Sequence, residues 1–213
     1  MREPSVIRVA ILAFDGVVAD TFPMRAYALA EAISAECVPV TAADVLPYLP
    51  GRSLREAAIE AMHRVPVLQP PRFRDDVTLH DLVALRAQRS WSAAAAQGVP
   101  LQPGVMAAVP LQLARGRRLV LRSDSQRREV ELLLQLAGLE DSVLFVRCAD
   151  DAPRVMGATS LEASHRAIAA RLDAQRIGRD ERVAVEYDAH TAAQASAFVH
   201  ASSAILQEEW LPG

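Results

Sequence analysis

Three short stretches carry side chains that could do chemistry, and each follows an apolar run. Asp15-Gly16 closes Val6–Phe14, Ser123-Asp124-Ser125 follows Leu119–Leu121, and Glu186-Tyr187-Asp188 follows Val183–Val185. Asp15 is a candidate general acid or base. Its structural alternative is a turn carboxylate that accepts backbone N–H groups before a glycine. Ser123 could hold the oxygen of an anion or cap the helix that begins near Gln126. Asp124 beside it places a negative charge against any incoming phosphate. Asp15, Glu186 and Asp188 are candidate ligands for a divalent cation, although three carboxyl groups without octahedral placement hold Mg²⁺ weakly. Arg52 and Arg154 are candidate ligand-binding cations, since the planar guanidinium suits an anionic group. Exposed surface arginine is the alternative for Arg52. His165 and His190 have no evident partner and suit surface or core roles.

These side chains depend on the elements that end beside them. Val6–Phe14 reads as a buried parallel strand closed by a sharp turn. Thr21 could cap a helix over Phe22–Glu36, with Pro23 in its first turn. Val40–Gln97 is helical by pattern, clearest in Leu54–Met62 and Leu79–Ala96, and Trp91 and Phe73 are expected to pack it. Gly98–Gly104 reads as a linker. After it, helices over Val105–Arg115, Gln126–Ala137, Leu161–Leu172 and Thr191–Val199 alternate with strands at Leu119–Leu121, Val143–Val146, Val183–Val185 and Ala204–Leu206. Such alternation predicts an α/β fold with a parallel sheet covered on both faces. The core is discontinuous, 1–20 plus 99–213, with an all-helical insert over 21–98. Ligands of such sheets sit beyond the carboxyl ends of the strands, where the candidates above fall.

In chain order the segments resemble the haloacid dehalogenase superfamily, in its phosphatase and beta-phosphoglucomutase branch with a helical cap. Ala13-Phe14-Asp15-Gly16-Val17-Val18-Ala19-Asp20-Thr21 is similar to the first motif, DxDGVxxDT. Pro50–Leu54 resembles the cap specificity loop, and Leu101–Val105 the return into the core. Leu119–Ser125 lies at the second motif. Gly138–Asp141 and Asp150–Arg154 resemble GLxDxF and DDVPxGKP, and Val183–Ala197 resembles VVEDSxxGxxAAxxA. The resemblance implies a Rossmann-like core with a cap. It also implies an aspartyl-phosphate mechanism with a nucleophilic Asp, an acid/base Asp, a Ser or Thr and a Lys on the phosphoryl oxygens, and Mg²⁺.

The same alignment places Ala13 at the nucleophile, Met156 at the lysine and Tyr187 at the metal-binding acid. The chain contains no lysine at all, its 23 basic residues all being arginine. Arg154 is the nearest substitute for the missing cation. Three independent changes read as a settled natural loss rather than an introduced knockout. The expectation is therefore a hydrolase homologue that has lost phosphoryl transfer and acts by binding, leaning away from an active enzyme. The alternatives are residual phosphatase or phosphosugar-mutase activity, with Mg²⁺, or metal-independent chemistry at Asp15. No cofactor is expected otherwise.

Composition sets the remaining bounds. A net charge of −3, with arginines dispersed along the chain, gives no basic stripe for nucleic acid. No apolar stretch approaches ~20 residues, so no membrane span is expected. Cys37 and Cys148 lack metal-site spacing and read as reduced, buried thiols. A cytoplasmic location is expected. The partner would be a small molecule between core and cap or another protein, with the chain a monomer or homodimer.

Overall fold

A computed structural model describes residues 6–36, 39–64, 76–151, 160–198 and 204–206. Of the apolar run that opens the chain, only Val9–Ala13 forms strand β1, because pairing begins where Val9 meets Arg118 and Arg182. Val6, outside the ladder, is 76% exposed. The later elements are α1 (Phe22–Glu36), α2 (Ala42–Val45), α3 (Leu54–Arg64), α4 (Asp76–Ala95), α5 (Val105–Ala114), β2 (Arg118–Arg122) and α6 (Arg127–Ala137). They continue as β3 (Val143–Arg147), α7 (Ser160–Ala174), β4 (Arg182–Glu186), α8 (Ala189–Ala195) and β5 (Ala204–Leu206). Short 3-10 turns occupy Leu46–Tyr48, Glu140–Ser142, Ala149–Asp151 and Arg179–Glu181.

The chain divides into two compact units, one of Met1–Asp20 with Pro100–Gly213 and one of Thr21–Val99. The first is built on a parallel five-stranded sheet in the order β3-β2-β1-β4-β5. Alternation along the strands sends side chains to two cores. Val9, Ile11, Val120 and Ala184 pack with Ile168, Leu172 and Ile177 in and after α7 and with Ala195 of α8. Leu12, Leu119 and Leu121 face the other way, toward Val109 of α5 and Leu134 of α6, around a small apolar void. Both faces of the sheet are thus covered, which explains why its strands read as continuous apolar runs rather than alternating ones.

The second unit is all helix in its described residues. Two capping boxes start its helices. Thr41 and Asp44 exchange bonds at α2, and Ser53 and Glu56 do so at α3. Trp91 of α4 is fully buried, and α1 and α4 are tied by Ser90 donating to Glu31 at 3.1 Å and by an Arg86–Glu36 ion pair. Phe73 lies outside the described residues. Among the described residues no helix is long and apolar enough to cross a membrane.

After β1 the chain reverses within a few residues. Gly16 donates to the Ala19 carbonyl at 2.8 Å, and Val18 and Ala19 donate back to Phe14 at 3.1 and 3.0 Å. Gly16 sits at φ 82°, a left-handed conformation that a Cβ disfavours. This turn sets the direction of Asp15. Gly16→Ala is expected to lower stability by about 1–2 kcal/mol in urea unfolding; an unchanged midpoint would mean that the turn relaxes freely.

Candidate functional site

The carboxyl ends of β2, β1 and β4 bring Arg122, Ala13 and Glu186 into one row. Ala13 pairs in register with Arg122, and Leu12 with Val185, so Glu186 flanks Ala13 on its other side. All three side chains therefore leave the same face of the sheet. The outer two strands lie about 10 Å apart, two strand spacings. Arg122 crosses that distance over the methyl group of Ala13. Its Nε donates to Glu186 Oε1 at 3.3 Å and its Nη2 to Oε2 at 2.9 Å. Its Nη1 donates to Asp124 Oδ1 at 2.7 Å. His165, from α7, lies 3.0 Å through Nε2 from Glu186 Oε1 and stacks on Phe198 at 5.9 Å between centroids. Arg122, Asp124, His165 and Glu186 are all buried, Glu186 fully so at 0% exposure.

A buried ion is tolerated only when paired and hydrogen-bonded, and the ionisation of these groups follows that rule. Burial by itself would raise the Glu186 carboxyl. The charge of Arg122, with hydrogen bonds from His165 and Arg122, outweighs burial and holds Glu186 down at about 2. Burial likewise opposes the Arg122 charge, but Asp124, Glu186 and Asp15 reverse the balance and raise it.

Asp15 is 1% exposed and is turned into the protein. Its Oδ2 accepts from Ser123 Oγ at 2.6 Å and from the Asp124 backbone N–H at 2.8 Å, and its Oδ1 from Ser125 Oγ at 3.0 Å. The carboxylate thus ties the turn after β1 to the loop after β2. Ser123 neither caps α6 nor offers its hydroxyl outward. It gives its proton to Asp15 and accepts from the Ser125 N–H at 3.0 Å. Gln126 is the N-cap residue of α6 and makes no side-chain cap bond, while Asp150 accepts from the Arg127 N–H at 2.9 Å. Arg127 in turn grips Asp151 through Nε at 3.1 Å and Nη2 at 2.5 Å.

The other candidates are dispersed. Asp188 is the N-cap of α8, accepting from Thr191 N–H at 2.8 Å. Tyr187 is 43% exposed. His190 pairs with Gln194 one turn on, at the surface. Arg52 belongs to the helical unit, where its carbonyl accepts from Arg25 at 3.0 Å. Cys148 is a buried free thiol, and burial raises its pKa. Arg154, Met156 and Cys37 lie outside the described residues.

The haloacid dehalogenase resemblance implies Mg²⁺ here, and the residues present do not fit it. The Ala13 side chain offers no oxygen, Glu186 faces a guanidinium and an imidazole, Asp15 faces hydroxyl and amide donors, and Asp188 is committed to its helix. Among the described residues no group of three or more His, Cys, Asp or Glu side chains is placed to hold a metal ion. Sequence reasoning gave no role to Arg122 and no partner to His165. A charged residue closing a strand with apolar neighbours, in register with an alanine where an acid is expected, was the available signal for Arg122. His165 had none, because its contact with Glu186 spans two elements.

Two outcomes follow from the buried pair. Arg122→Leu is expected to cost about 3–5 kcal/mol in urea unfolding, since it removes the cation that faces Glu186 and Asp124. Adding Glu186→Leu should recover part of that loss, and strict additivity of the two changes would show that the groups do not interact. The second outcome concerns acid. A depressed carboxyl contributes stability above its unfolded pKa and loses it as pH falls through the folded one. From 4.5 to about 2, Glu186 supplies roughly 3 kcal/mol. Unfolding midpoints should therefore fall steeply between about pH 4.5 and 2 in the wild type, and less steeply in Glu186→Gln; parallel curves would show that another group sets the acid transition.

No protein-family model matches the chain, and no curated protein matches it in sequence. Solved structures do match. CbbY from Rhodobacter sphaeroides, in complex with phosphate, aligns at TM-score 0.68 and 16% identity over 94% of this chain and 93% of its own. A predicted phosphoglycolate phosphatase from Haemophilus somnus 129PT aligns at 0.69 and 11% identity, over 94% of this chain and 84% of its own. A haloacid dehalogenase-like hydrolase from Bacteroides fragilis aligns at 0.69 and 14% identity, over 90% and 83%. At these identities the likeness speaks for architecture, and the chain has the haloacid dehalogenase-like fold.

Proposed function

We propose that this chain keeps a phosphatase-type fold but works by binding, a small ligand or a protein, and has given up phosphoryl transfer. The single observation that supports this most is Arg122 lying across Ala13 to Glu186. Phosphoryl transfer relies on positioning and on opposite charges held ready for the moving phosphoryl group. Here the acid end of the sheet spends its charges on one another. The group in register beside Arg122 is a methyl, which can neither attack phosphorus nor bind a cation.

The other two readings draw less from the geometry. Ordinary hydrolase activity with Mg²⁺ would require Glu186 to leave its guanidinium. Metal-independent chemistry would require Asp15 to face open space, whereas it accepts from Ser123, Ser125 and the Asp124 backbone.

The test is phosphate release from a panel of phosphomonoesters and sugar phosphates, with Mg²⁺ and with chelator, paired with mass spectrometry of the protein during incubation. The expected outcome is release at the buffer rate in both conditions and an unmodified chain. Mg²⁺-dependent turnover, or a phosphorylated carboxylate on any residue, would overturn the proposal.

A further inference from the structure

Strand β3 ends the sheet on one side, with no neighbour beyond it among the described residues. Its five residues, Val143–Arg147, include no acid, proline or glycine, and Leu144 is 38% exposed. An edge of that kind is a template for pairing with another chain unless something blunts it. The opposite edge, β5, is only three residues long, which limits what can pair there.

Hydrogen bonds to the loop after β2 show which groups of β3 face outward. The Ser123 N–H donates to the Arg147 carbonyl at 2.8 Å and the Ala149 N–H to the Ser125 carbonyl at 3.0 Å, so Arg147 and Ala149 turn inward. By alternation, Val146 and Cys148 turn their backbone groups to the open side. Arg127, the first residue of α6, donates through Nη2 to the Val146 carbonyl at 3.2 Å. Asp151, from the short turn after β3, accepts through Oδ2 from the Cys148 N–H at 2.9 Å. The same two atoms, Nη2 and Oδ2, bond each other. In a parallel sheet, one residue of a next strand would make both contacts, its N–H to Val146 and its carbonyl to Cys148. The ion pair stands where that residue would stand. Burial opposes the Asp151 charge, but the bonds from Arg127 and the Cys148 N–H hold its carboxyl below the usual range, so the pair is ionised at neutral pH. The other half of the strand is closed in a different way. The register shifts between Leu119 and Val120 of β2, leaving Leu144 as an extra residue that disturbs the ladder.

We propose that the Arg127–Asp151 pair is a guard over the β3 edge, which keeps a second copy of this chain from extending the sheet there. A second copy is the occupant to exclude because the edge is complementary to itself. Antiparallel pairing centred on Val146 would let the two Val146 residues exchange both hydrogen bonds, and each bond would end on the carbonyl that Arg127 holds. Arg147 would then face Phe145 of the other copy, so no like charges would meet directly across the centre. The inference is independent of whether phosphoryl transfer persists.

Sedimentation and amide hydrogen exchange of the full-length chain test this. In the wild type, the Val146 amide is expected to exchange at a rate that does not change with protein concentration. Arg127→Met keeps the apolar stem and removes the guanidinium. It should self-associate at least tenfold more tightly than the wild type, with Val146 exchange slowing as concentration rises. Adding Leu144→Lys, which places a charge at an exposed edge position, should return the variant to wild-type behaviour. Asp151→Ala leaves Arg127 unanchored and is held to the same outcomes, so the test stands if one of the two variants fails to fold by circular dichroism. A folded Arg127→Met or Asp151→Ala that associates no more than the wild type would overturn the proposal, as would association that Leu144→Lys does not reverse. So would a wild type whose Val146 amide slows with concentration, since the edge would then be paired with its guard in place.

Discussion

Taking a guanidinium and its carboxylate partners out of water costs several kcal/mol per ion, and the end of the sheet is arranged around offsetting that cost. Arg122 meets Glu186 with a double hydrogen bond and Asp124 with a third. His165 takes a further lone pair of Glu186, and Asp15 accepts hydroxyl and amide donors. Removing any one member leaves the others exposed to the low dielectric of the interior. The cluster therefore behaves as a unit, in which changes at one position oblige changes at the next.

That interdependence gives a physical reading of Ala13. A small side chain there leaves the lane between β2 and β4 free. An acid in that place would lie in the path of the pair and compete with Glu186 for the same guanidinium. The methyl at position 13 and the guanidinium of Arg122 thus go together, an internal cation balancing the carboxylates at this end of the sheet.

Much of the fold was legible because strands buried on both faces read as unbroken apolar runs, and helices end at Gly and Pro. The bounds of α1 and the positions of the β4 and β5 strands follow from that pattern, while α2 and the 3-10 turns, too short to show periodicity, do not. The site was legible only in part. Sequence order showed which residues stand at strand ends, hence Asp15, Ser123 and Glu186. It could not show that Asp15 turns inward or that Ser123 serves Asp15 rather than a helix. Those outcomes depend on side chains more than a hundred positions apart meeting in one loop, and on hydrogen bonds that no local spacing encodes.

The central claim is that Glu186 is occupied by Arg122 and is closed to a divalent cation. Calorimetric titration of Mg²⁺ into the wild-type chain and into Arg122→Leu measures that directly. The account predicts no saturable heat from the wild type up to about 10 mM, far above the affinity range of sensor-type sites. Saturable Mg²⁺ binding to the wild type, lost in Glu186→Gln while the fold persists, would contradict it.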